Sequence, residues 1–222
     1  MIVQQSHPVT LIGGAKVYNQ GLQRALTLAP TLVAADGGAD SALIEGRMPD
    51  AVIGDFDSLS DSGRHCIPPE RLHEISEQDS TDLDKCLRNV DAPLIIGVGF
   101  SGARQDHQLA AYNSLVRHPD RRCILLGRDE IVFLCPPSLR LDLPVGTRLS
   151  LFPMGAVEGV SDGLKWPIAG LNFAPDGRVG TSNQTTGPVH LSLTAPKMLT
   201  ILPENALETA TTALQNTVAG WS

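Results

Sequence analysis

The stretch Leu32-Val33-Ala34-Ala35-Asp36-Gly37-Gly38 decides the fold of this chain, because a short apolar run that ends at an acid and two glycines is typical of a strand in a parallel sheet. A second run, Val52-Ile53-Gly54, leads directly into Asp55 and Asp57. In an open parallel sheet, ligands bind outside the carboxyl ends of the strands. The placement of these acids therefore predicts a binding site at that edge.

About the first 135 residues alternate short apolar runs with amphipathic segments, which is the pattern of a parallel sheet flanked by helices. The predicted strands are Val9–Ile12, Thr31–Ala35, Ala51–Ile53, Leu94–Val98, Cys123–Leu126 and Ile131–Leu134. The predicted helices are Lys16–Leu28, Thr81–Val90 and Asp106–Arg117. This part of the chain is expected to be an α/β domain.

The pattern changes after Cys135-Pro136-Pro137, which we interpret as a linker. Beyond it, β-rich runs are separated by clusters of Gly, Pro, Asn and Asp. The predicted elements are strands Leu139–Leu143, Arg148–Phe152, Val189–Leu193 and Met198–Leu202, and a helix within Glu204–Val218. The prediction is an α/β protein with a parallel-sheet, Rossmann-like domain at 1–136 and a smaller antiparallel β-sandwich or barrel at 137–222.

Composition and charge exclude several classes of protein. The chain of 222 residues is 42% hydrophobic and 18% charged, which is typical of a globular protein. Its net charge of −7 argues against a nucleic-acid partner, since phosphate backbones require clustered Lys and Arg. The four cysteines form no C-x-x-C pair and are expected to be free thiols. Without a signal peptide or a run of about 18 apolar residues, we expect a cytoplasmic protein with no membrane partner.

The spacing of Asp55 and Asp57 predicts a metal site. In an extended segment these two side chains point the same way while Phe56 packs inward. Carboxylates this close repel one another unless a cation lies between them, so we expect Asp36, Asp55 and Asp57 to share Mg²⁺. The alternative is that each acid only forms a turn, as surface aspartates often do.

Two helix starts carry candidate phosphate contacts. Ser80-Thr81-Asp82 suits a helix cap, and Lys85 lies one turn later on the same face, within reach of a phosphate. Residues 97–102 match G-x-G-x-x-G, but no acid follows the next strand to bind a ribose, which disfavours NAD or FAD. The glycines are better explained by backbone amides approaching phosphates, with Arg104 as a charged donor. No Walker-type sequence occurs.

Trp166 is one of only two tryptophans and has two interpretations. It either belongs to the core of the β domain or offers a flat face to a cationic heterocycle, which tryptophan attracts best among the aromatic residues. The sequence alone leaves both open.

These motifs, in this order, resemble the thiamine pyrophosphokinase family over nearly the whole chain. The matching segments are Gly13-Gly14, residues 35–39, residues 53–58, residues 78–82, Gly102-x-Arg104-x-Asp106-His107, residues 163–166 and residues 181–183. The resemblance implies an enzyme that moves the terminal diphosphate of ATP onto the hydroxyl group of thiamine and releases AMP, within a homodimer whose active sites lie at the subunit interface.

The resemblance also implies roles for individual residues. The implied Mg²⁺ ligands are Asp36, Asp55, Asp57 and Asp82, and the implied catalytic residues are Asp55, Asp57, Asp82, Arg104 and Asp106. The implied ATP-binding residues are Gly13, Gly14, Asp36, Gly37, Ser80, Thr81, Lys85 and Gly102. The implied thiamine-binding residues are Gln78, Asp106, Gly163, Lys165, Trp166, Ser182 and Asn183. Bacterial members typically have Asn where this chain has Ala111, and the nearby Asn113 is left without a role.

Two other functions fit parts of the same pattern. Clustered acids at strand ends also suit a metal-dependent phosphohydrolase that activates water. A non-catalytic sensor of thiamine or nucleotide would be expected to have lost acids from the motifs, and all four aspartates are present.

Overall fold

Short buried strands alternate with helices in the first of two units into which this computed structural model divides the chain; it describes residues 1–102, 104–218 and 220–221. This unit comprises residues 1–114 and 125–128. Its strands are β1 (Val3–Gln4), β2 (Val9–Ile12), β3 (Thr31–Ala35), β4 (Ala51–Gly54), β5 (Leu72–Glu74), β6 (Val90–Asp91), β7 (Ile95–Val98) and part of β8 (Cys123–Leu126). Its helices are α1 (Asn19–Leu28), α2 (Gly38–Ile44), α3 (Asp61–Cys66), α4 (Asp82–Asn89) and most of α5 (Gln105–Arg117).

The strands of this unit pair in parallel. The order β7-β2-β3-β4-β5 joins each strand to its neighbour by a parallel ladder, and β1 and β6 form a separate parallel pair. Every residue of β2, β4 and β7 is buried, as expected for strands covered on both faces. The chain runs from β2 outward to β5 and then returns to place β7 on the other side of β2. The strand order therefore reverses at β2, where open α/β sheets bind their ligands.

The second unit, residues 115–124 and 129–222, is built from antiparallel strands. They are β9 (Glu130–Leu134), β10 (Ser138–Leu141), β11 (Arg148–Pro153), β12 (Gly159–Leu164), β13 (Gly180–Leu193) and β14 (Met198–Pro203), followed by α6 (Leu207–Asn216). The order β10-β13-β11-β14-β9 is antiparallel throughout, and β12 pairs with β13. The chain as a whole has a mixed α/β fold.

The 14-residue strand β13 holds the second unit together. Its residues 180–184 pair with β11, and its residues 190–192 pair with β10 on one edge and with β12 on the other. The ladder to β12 shifts register between Asp162 and Leu164, around Gly163, whose φ is +75°. The ladder to β11 shifts between Leu149 and Leu151, opposite Ser182, whose φ is +61°. These irregularities are β-bulges, which re-aim neighbouring side chains.

Most predicted strands have the expected bounds, but the pairing expected for one of them is wrong. The predicted strand Ile131–Leu134 was placed in the parallel sheet, whereas β9 pairs antiparallel with β14. Only residues 127–129 separate β8 from β9, and a parallel connection needs a crossover of a dozen or more residues. Helices α2 and α3 and strand β12 were not predicted.

One simpler prediction, on the cysteines, is confirmed. Cys66, Cys86, Cys123 and Cys135 are reduced thiols, and burial raises the pKa of Cys123 and of Cys135 to about 12. In the part of the chain that the structure describes, no helix has the length and apolar character needed to cross a membrane.

Candidate functional site

Three carboxylates converge at the carboxyl edge of the parallel sheet. Asp36 follows β3, and Asp55 and Asp57 follow the neighbouring strand β4. One oxygen of each can be chosen so that all three atoms lie within 4.8 Å of one another. The structure thus brings together three of the four aspartates expected to hold a metal, and we call Asp36, Asp55 and Asp57 the acid cluster.

The acid cluster forms by a tight turn and not by the extended segment that the sequence suggested. Phe56 is buried, as predicted, but its φ is +63°, in the left-handed region that a bulky residue rarely adopts. Asp36 has a φ of +45°. Both acids of the β4 loop therefore face Asp36 because the chain bends at Phe56. Backbone strain of this kind concentrates at functional sites.

Gly54, at the end of β4, lets Asp36 approach this turn. A Cβ atom at position 54 would lie 2.6 Å from the Cβ of Asp36, closer than two such atoms can come. Any other residue would push Asp36 away from Asp55 and Asp57. The glycine in the Ile53–Ser58 motif therefore has a packing role in the acid cluster.

Asp36 is the most constrained member of the acid cluster. Its side chain is 1% exposed, and its Oδ2 accepts a hydrogen bond of 3.2 Å from the backbone N–H of Ser58. Its Oδ1 is buried and has no hydrogen-bond partner among the described residues. Burial, followed by the charge of Asp82, raises the pKa of Asp36 to about 6. A carboxylate with a buried, unpaired oxygen is costly unless a cation or a proton satisfies it.

This donor set fits Mg²⁺, a hard cation that binds carboxylate oxygens. The unpartnered Oδ1 of Asp36 would supply one ligand, and a cation would relieve the repulsion between the carboxylates of Asp55 and Asp57. Asp82 lies outside this group of three ligands. Its Oδ1 is 3.5 Å from Nζ of Lys85, and burial raises its pKa although the Lys85 charge opposes the shift.

Lys85 is buried beside the acid cluster. Its Nζ donates to Oδ2 of Asp55 over 2.7 Å, and its side chain is 1% exposed. Gln78 donates to the same Asp55 oxygen over 3.0 Å. The Lys85 hydrogen bond is the main cause of the lowered pKa of Asp55. Burial alone would lower the pKa of Lys85, but Asp55 and Asp82 outweigh burial and raise it. The ammonium group therefore contacts two carboxylates, one at 2.7 Å and one at 3.5 Å.

The first turn of α4, which carries Asp82 and leads to Lys85, is held in place by a helix cap. Thr81 caps the helix in a reciprocal capping box with Asp84, which confirms the expectation of a cap at this point. The Thr81 hydroxyl also lies 3.2 Å from the hydroxyl of Ser114 on α5. Ser80 instead donates to Glu77, and Arg88 donates to both of them. Cap and surface contacts thus fix the first turn of α4.

The loop after β2, which contains Gly13 and Gly14, is in close contact with the loop after β7, which contains Gly99. The N–H of Gly13 donates to the carbonyl of Val98 over 2.8 Å, and the N–H of Ala15 donates to Gly99 over 2.9 Å. A Cβ atom on Gly13 would lie 2.7 Å from the carbonyl oxygen of Gly99. Gly14 is exposed beside this contact.

Arg104 and Asp106 lie at the start of α5 and pair with each other. The guanidinium donates to both carboxylate oxygens, over 3.2 and 2.6 Å, and both side chains are about two-thirds exposed, 67% and 65%. This contact lowers the pKa of Asp106 to about 2. Gly102 lies in the loop between β7 and α5. On α5 itself, Ala111 is buried and Asn113 is exposed.

The remaining candidate residues cluster in the second unit. Asn183, buried in β13, holds the backbone of Trp166 by two hydrogen bonds, from Trp166 N–H to Oδ1 (3.1 Å) and from Nδ2 to Trp166 O (2.7 Å). The Trp166 ring is 53% exposed, which excludes the core interpretation. Lys165 Nζ lies 4.7 Å from the ring centroid. Gly163 and Ser182 occupy the two bulges of the neighbouring ladders.

Sequence reasoning missed Ser58. Its N–H binds Asp36, and its hydroxyl donates to Oδ1 of Asp57 over 2.9 Å, so one residue links two members of the acid cluster. Its position directly after Asp57 was the available signal. Every residue except proline has a backbone N–H, however, so this contact cannot be predicted from the type of residue.

Comparison with known proteins shows that this chain is similar to thiamine pyrophosphokinases. A model of the thiamin pyrophosphokinase catalytic domain matches residues 22–125, which include the acid cluster and Lys85. Thiamine pyrophosphokinase 1 of Arabidopsis thaliana is 29% identical over 205 residues, covering 75% of this chain and 77% of the relative. Thiamine pyrophosphokinase 1 of Oryza sativa subsp. japonica is 30% identical over 154 residues, covering 61% of this chain and 58% of the relative.

Solved structures show the same fold. Thiamin pyrophosphokinase from Candida albicans superposes with a TM-score of 0.76 at 18% identity, and the match covers 89% of each chain. Yeast thiamin pyrophosphokinase superposes with a TM-score of 0.73 at 16% identity, covering 94% of this chain and 89% of the yeast chain. At such low identity the likeness concerns the fold alone.

Proposed function

We propose that this chain, which is similar to thiamine pyrophosphokinases, transfers the terminal diphosphate of ATP to the hydroxyl group of thiamine, releasing AMP and thiamine diphosphate. The observation that carries this proposal is the acid cluster, whose buried Asp36 has an oxygen without a partner among the described residues. A site of this kind, at the carboxyl edge of a parallel sheet, suits a polyphosphate bound through a divalent metal.

The metal in this proposal is Mg²⁺. Asp36, Asp55 and Asp57 would hold it, and Asp82 would complete the set from the start of α4. Bound Mg²⁺ would neutralise phosphate charge, which is the main requirement of phosphoryl transfer. Lys85 keeps Asp55 ionised and oriented.

ATP is the proposed donor, and the residues around it act mainly by positioning. The proposed phosphate contacts are Gly13, Gly14, Gly37, Ser80, Thr81, Lys85, Gly102 and Arg104. Support comes from the exposed Gly14, which lies in the loop after β2 at the carboxyl edge of the sheet, where a helix or loop amide can face a phosphate.

The thiamine hydroxyl would attack the β-phosphorus in line, and a carboxylate would accept its proton. Asp82 and Asp106 are the two candidates. Asp106, with a pKa of about 2, is a weak base, whereas burial raises the pKa of Asp82. A higher pKa makes a better proton acceptor, whereas coordination to Mg²⁺ makes Asp82 a weaker one, so both aspartates remain candidates for this role.

The proposed thiamine contacts are Gln78, Asp106, Gly163, Lys165, Trp166, Ser182 and Asn183. Support comes from Trp166, whose backbone is fixed by Asn183 and whose exposed ring already holds the cation of Lys165. A ring that attracts an ammonium group can attract the thiazolium of thiamine.

The proposal extends to the organisation of the protein. We assign catalysis and ATP binding to a domain at residues 1–136, Rossmann-like in its parallel sheet, and thiamine binding to a β-sandwich or barrel domain at residues 137–222. A cytoplasmic homodimer with active sites at the subunit interface completes the proposal, on the strength of the family resemblance.

The direct test is to incubate the purified chain with ATP, Mg²⁺ and thiamine and to quantify thiamine diphosphate and AMP. The expected result is equimolar formation of both products, with no AMP when thiamine is omitted. AMP or phosphate release that is independent of thiamine would identify a phosphohydrolase instead. Thiamine binding without turnover would identify a sensor.

A further inference from the structure

One face of the second unit carries a serine, a histidine and an aspartate side by side. The hydroxyl of Ser138 lies 3.0 Å from Nε2 of His190, and Nδ1 of the same ring lies 4.0 Å from Oδ2 of Asp162. Ser138 lies on β10, His190 on β13 and Asp162 on β12. Each nitrogen of the imidazole ring therefore has its own oxygen neighbour. None of these three residues has a role in the function proposed above.

The pairing of the strands explains why these side chains share one face. His190 lies directly opposite Asp162 of β12 on one side and Arg140 of β10 on the other. Residues directly opposite each other in an antiparallel sheet point to the same face. The residues on either side of His190 in β13 are buried, so alternation along the strand turns His190 outward. Ser138, two residues before Arg140, points to the same outward face.

This arrangement suits a nucleophilic serine. A serine hydroxyl is activated when Nε2 of a histidine accepts its proton and a carboxylate on the Nδ1 side orients the ring. The contact between Ser138 and His190 is within hydrogen-bonding distance. The contact between His190 and Asp162 is looser, as contacts of this kind often are before a substrate binds. The order hydroxyl, imidazole, carboxylate is therefore the one that acyl transfer requires.

The outer edge of β10 offers a backbone donor beside the serine hydroxyl. The N–H of Leu193 donates to the carbonyl of Pro137, so these two residues form a hydrogen-bonded position of the ladder between β10 and β13. Such positions alternate along an antiparallel ladder, so the N–H of Ser138 points away from β13. In the part of the chain that the structure describes, no strand pairs with that outer edge. This N–H can therefore donate to an oxyanion that forms next to the serine.

An open cleft beside β10 provides room for a substrate. Its volume is about 780 Å³, within the range of small-molecule sites. It lies between the outward side chains of β10 and those of α6, and most of its lining is polar. The lining includes Ser138, Arg140, Asp142, Glu208, Thr212 and Asn216. The cleft therefore suits a small polar ester better than a long-chain lipid.

We propose that Ser138, His190 and Asp162 form a second catalytic site, which hydrolyses esters of short acyl chains. Ser138 is the nucleophile, His190 carries the proton, and Asp162 is a positioning residue that orients the imidazole. The inference goes beyond the proposed diphosphate transfer and uses none of its residues.

The reaction has two steps, and each is balanced. In the first step, the oxygen of Ser138 forms a bond to the carbonyl carbon, and its proton moves to Nε2 of His190. The bond from that carbon to the alcohol oxygen then breaks, and the alcohol leaves with the electron pair and takes the proton from Nε2. In the second step, water attacks the acyl carbon and gives a proton to Nε2. Ser138 leaves with the electron pair and regains that proton, which releases the carboxylic acid.

The first test measures hydrolysis of p-nitrophenyl acetate by the purified chain without ATP or thiamine. The parent is expected to release p-nitrophenol, and Ser138→Ala and His190→Gln are each expected to lower kcat by about a hundredfold or more. Ser192→Ala is the matched control, because Ser192 lies directly opposite Ser138 on β13, and it should keep the parental kcat. A parent without activity, or folded Ser138→Ala with parental kcat, would overturn the proposal.

A second test identifies the nucleophile without relying on turnover. A fluorophosphonate probe is expected to react with the parent at Ser138, located by mass spectrometry of the labelled peptide, and to fail with His190→Gln. Reaction only at another residue, or no reaction, would contradict a nucleophilic Ser138 even if the ester is hydrolysed.

The role of Asp162 needs its own measurement. Because this carboxylate is exposed, Asp162→Asn is expected to lower kcat only about tenfold, with KM unchanged, and Asp162→Glu should recover most of the loss. Equal kcat in Asp162→Asn and the parent would remove Asp162 from the site.

Discussion

Nζ of Lys85 and Oδ2 of Asp55 lie 2.7 Å apart in a pair that is almost closed to solvent, with 1% of the lysine and 12% of the aspartate side chain exposed. This pair ties α4 to the turn after β4, and thereby fixes one side of the acid cluster. Breaking a buried pair leaves the other charge without compensation, which costs more than the pair contributes.

Lys85→Met is therefore expected to lower the free energy of unfolding by about 3–5 kcal/mol, because it strands the Asp55 carboxylate. Adding Asp55→Asn should recover part of this loss, since the double variant contains no unpaired buried charge. Urea unfolding of the parent, both single variants and the double variant provides the cycle. A Lys85→Met protein with the same free energy of unfolding as the parent would show that the pair does not stabilise the fold.

Asp55→Asn and Asp57→Asn are each expected to lower kcat by about a hundredfold or more at limiting Mg²⁺, because each removes a charge from the proposed metal site. Calorimetric titration with Mg²⁺ should show weaker binding in both variants, which tests the metal independently of turnover. Asp142→Asn, an exposed aspartate after β10, is the matched control. Near-normal kcat and Mg²⁺ affinity in both cluster variants would exclude the metal assignment.

The raised pKa of Asp36 predicts how stability changes with pH when no divalent metal is bound. The folded chain holds this proton up to about pH 6, whereas the ordinary pKa is 3.8. Between these values the native state binds more protons, so Asp36 makes stability fall as pH rises, by about 3 kcal/mol in total. With EDTA present, Asp36→Asn should therefore be more stable than the parent at pH 8. Parallel pH profiles from pH 4 to 8 would contradict the buried charge.

Trp166→Ala is expected to raise KM for thiamine about 30-fold, from the loss of about 2 kcal/mol of cation–aromatic attraction, with little change in KM for ATP. Because the ring is largely exposed, the unfolding temperature should change little. Trp221→Ala is the control: its indole donates to the carbonyl of Cys135 over 2.8 Å, so it should reduce stability and leave thiamine KM unchanged. Unchanged thiamine KM in Trp166→Ala would remove this residue from the thiamine site.

The proposed interface site predicts complementation between two inactive variants. If the acid cluster of one protomer works with Trp166 of its partner, mixing and exchanging Asp57→Asn with Trp166→Ala should restore about a quarter of parental activity at low thiamine, because half of the dimers regain one site of two. Light scattering should give twice the monomer mass. A monomer, or a dimer without recovery, would contradict a shared site.

The acid cluster could be predicted because the sequence shows both the aspartates and the apolar strands that precede them. Parallel strands end at one edge, so acids that follow neighbouring strands meet there. The turn itself could not be predicted, since a left-handed Phe56 contradicts the preference of bulky residues. It depends on the space at Gly54 and on the N–H of Ser58, and both are properties of the folded chain.

The second unit was harder to predict for a different reason. Only the apolar end of β13 was recognised, because its first half is polar. Asn183 and Thr185 are nevertheless buried there, and hydrogen bonds with distant segments satisfy them. Periodicity detects strands by their apolar residues, so a strand that buries polar groups escapes it. Strand β12 was not predicted because its sequence, GVSDGL, is rich in glycine and polar residues and only Leu164 is buried.

Strand β13 also sets the order of events on the ribosome. Strands β10, β11 and β12 are all synthesised before β13, and among the residues that the structure describes their pairing partners are β13 and the later β14. Until β13 is synthesised, these three segments remain unpaired, and their apolar side chains are exposed to other chains. Synthesis is therefore most vulnerable to aggregation between the emergence of Ser138 and that of Leu193. Slower translation across this window would lengthen that exposure, and a chaperone that shields it would raise the yield of folded enzyme.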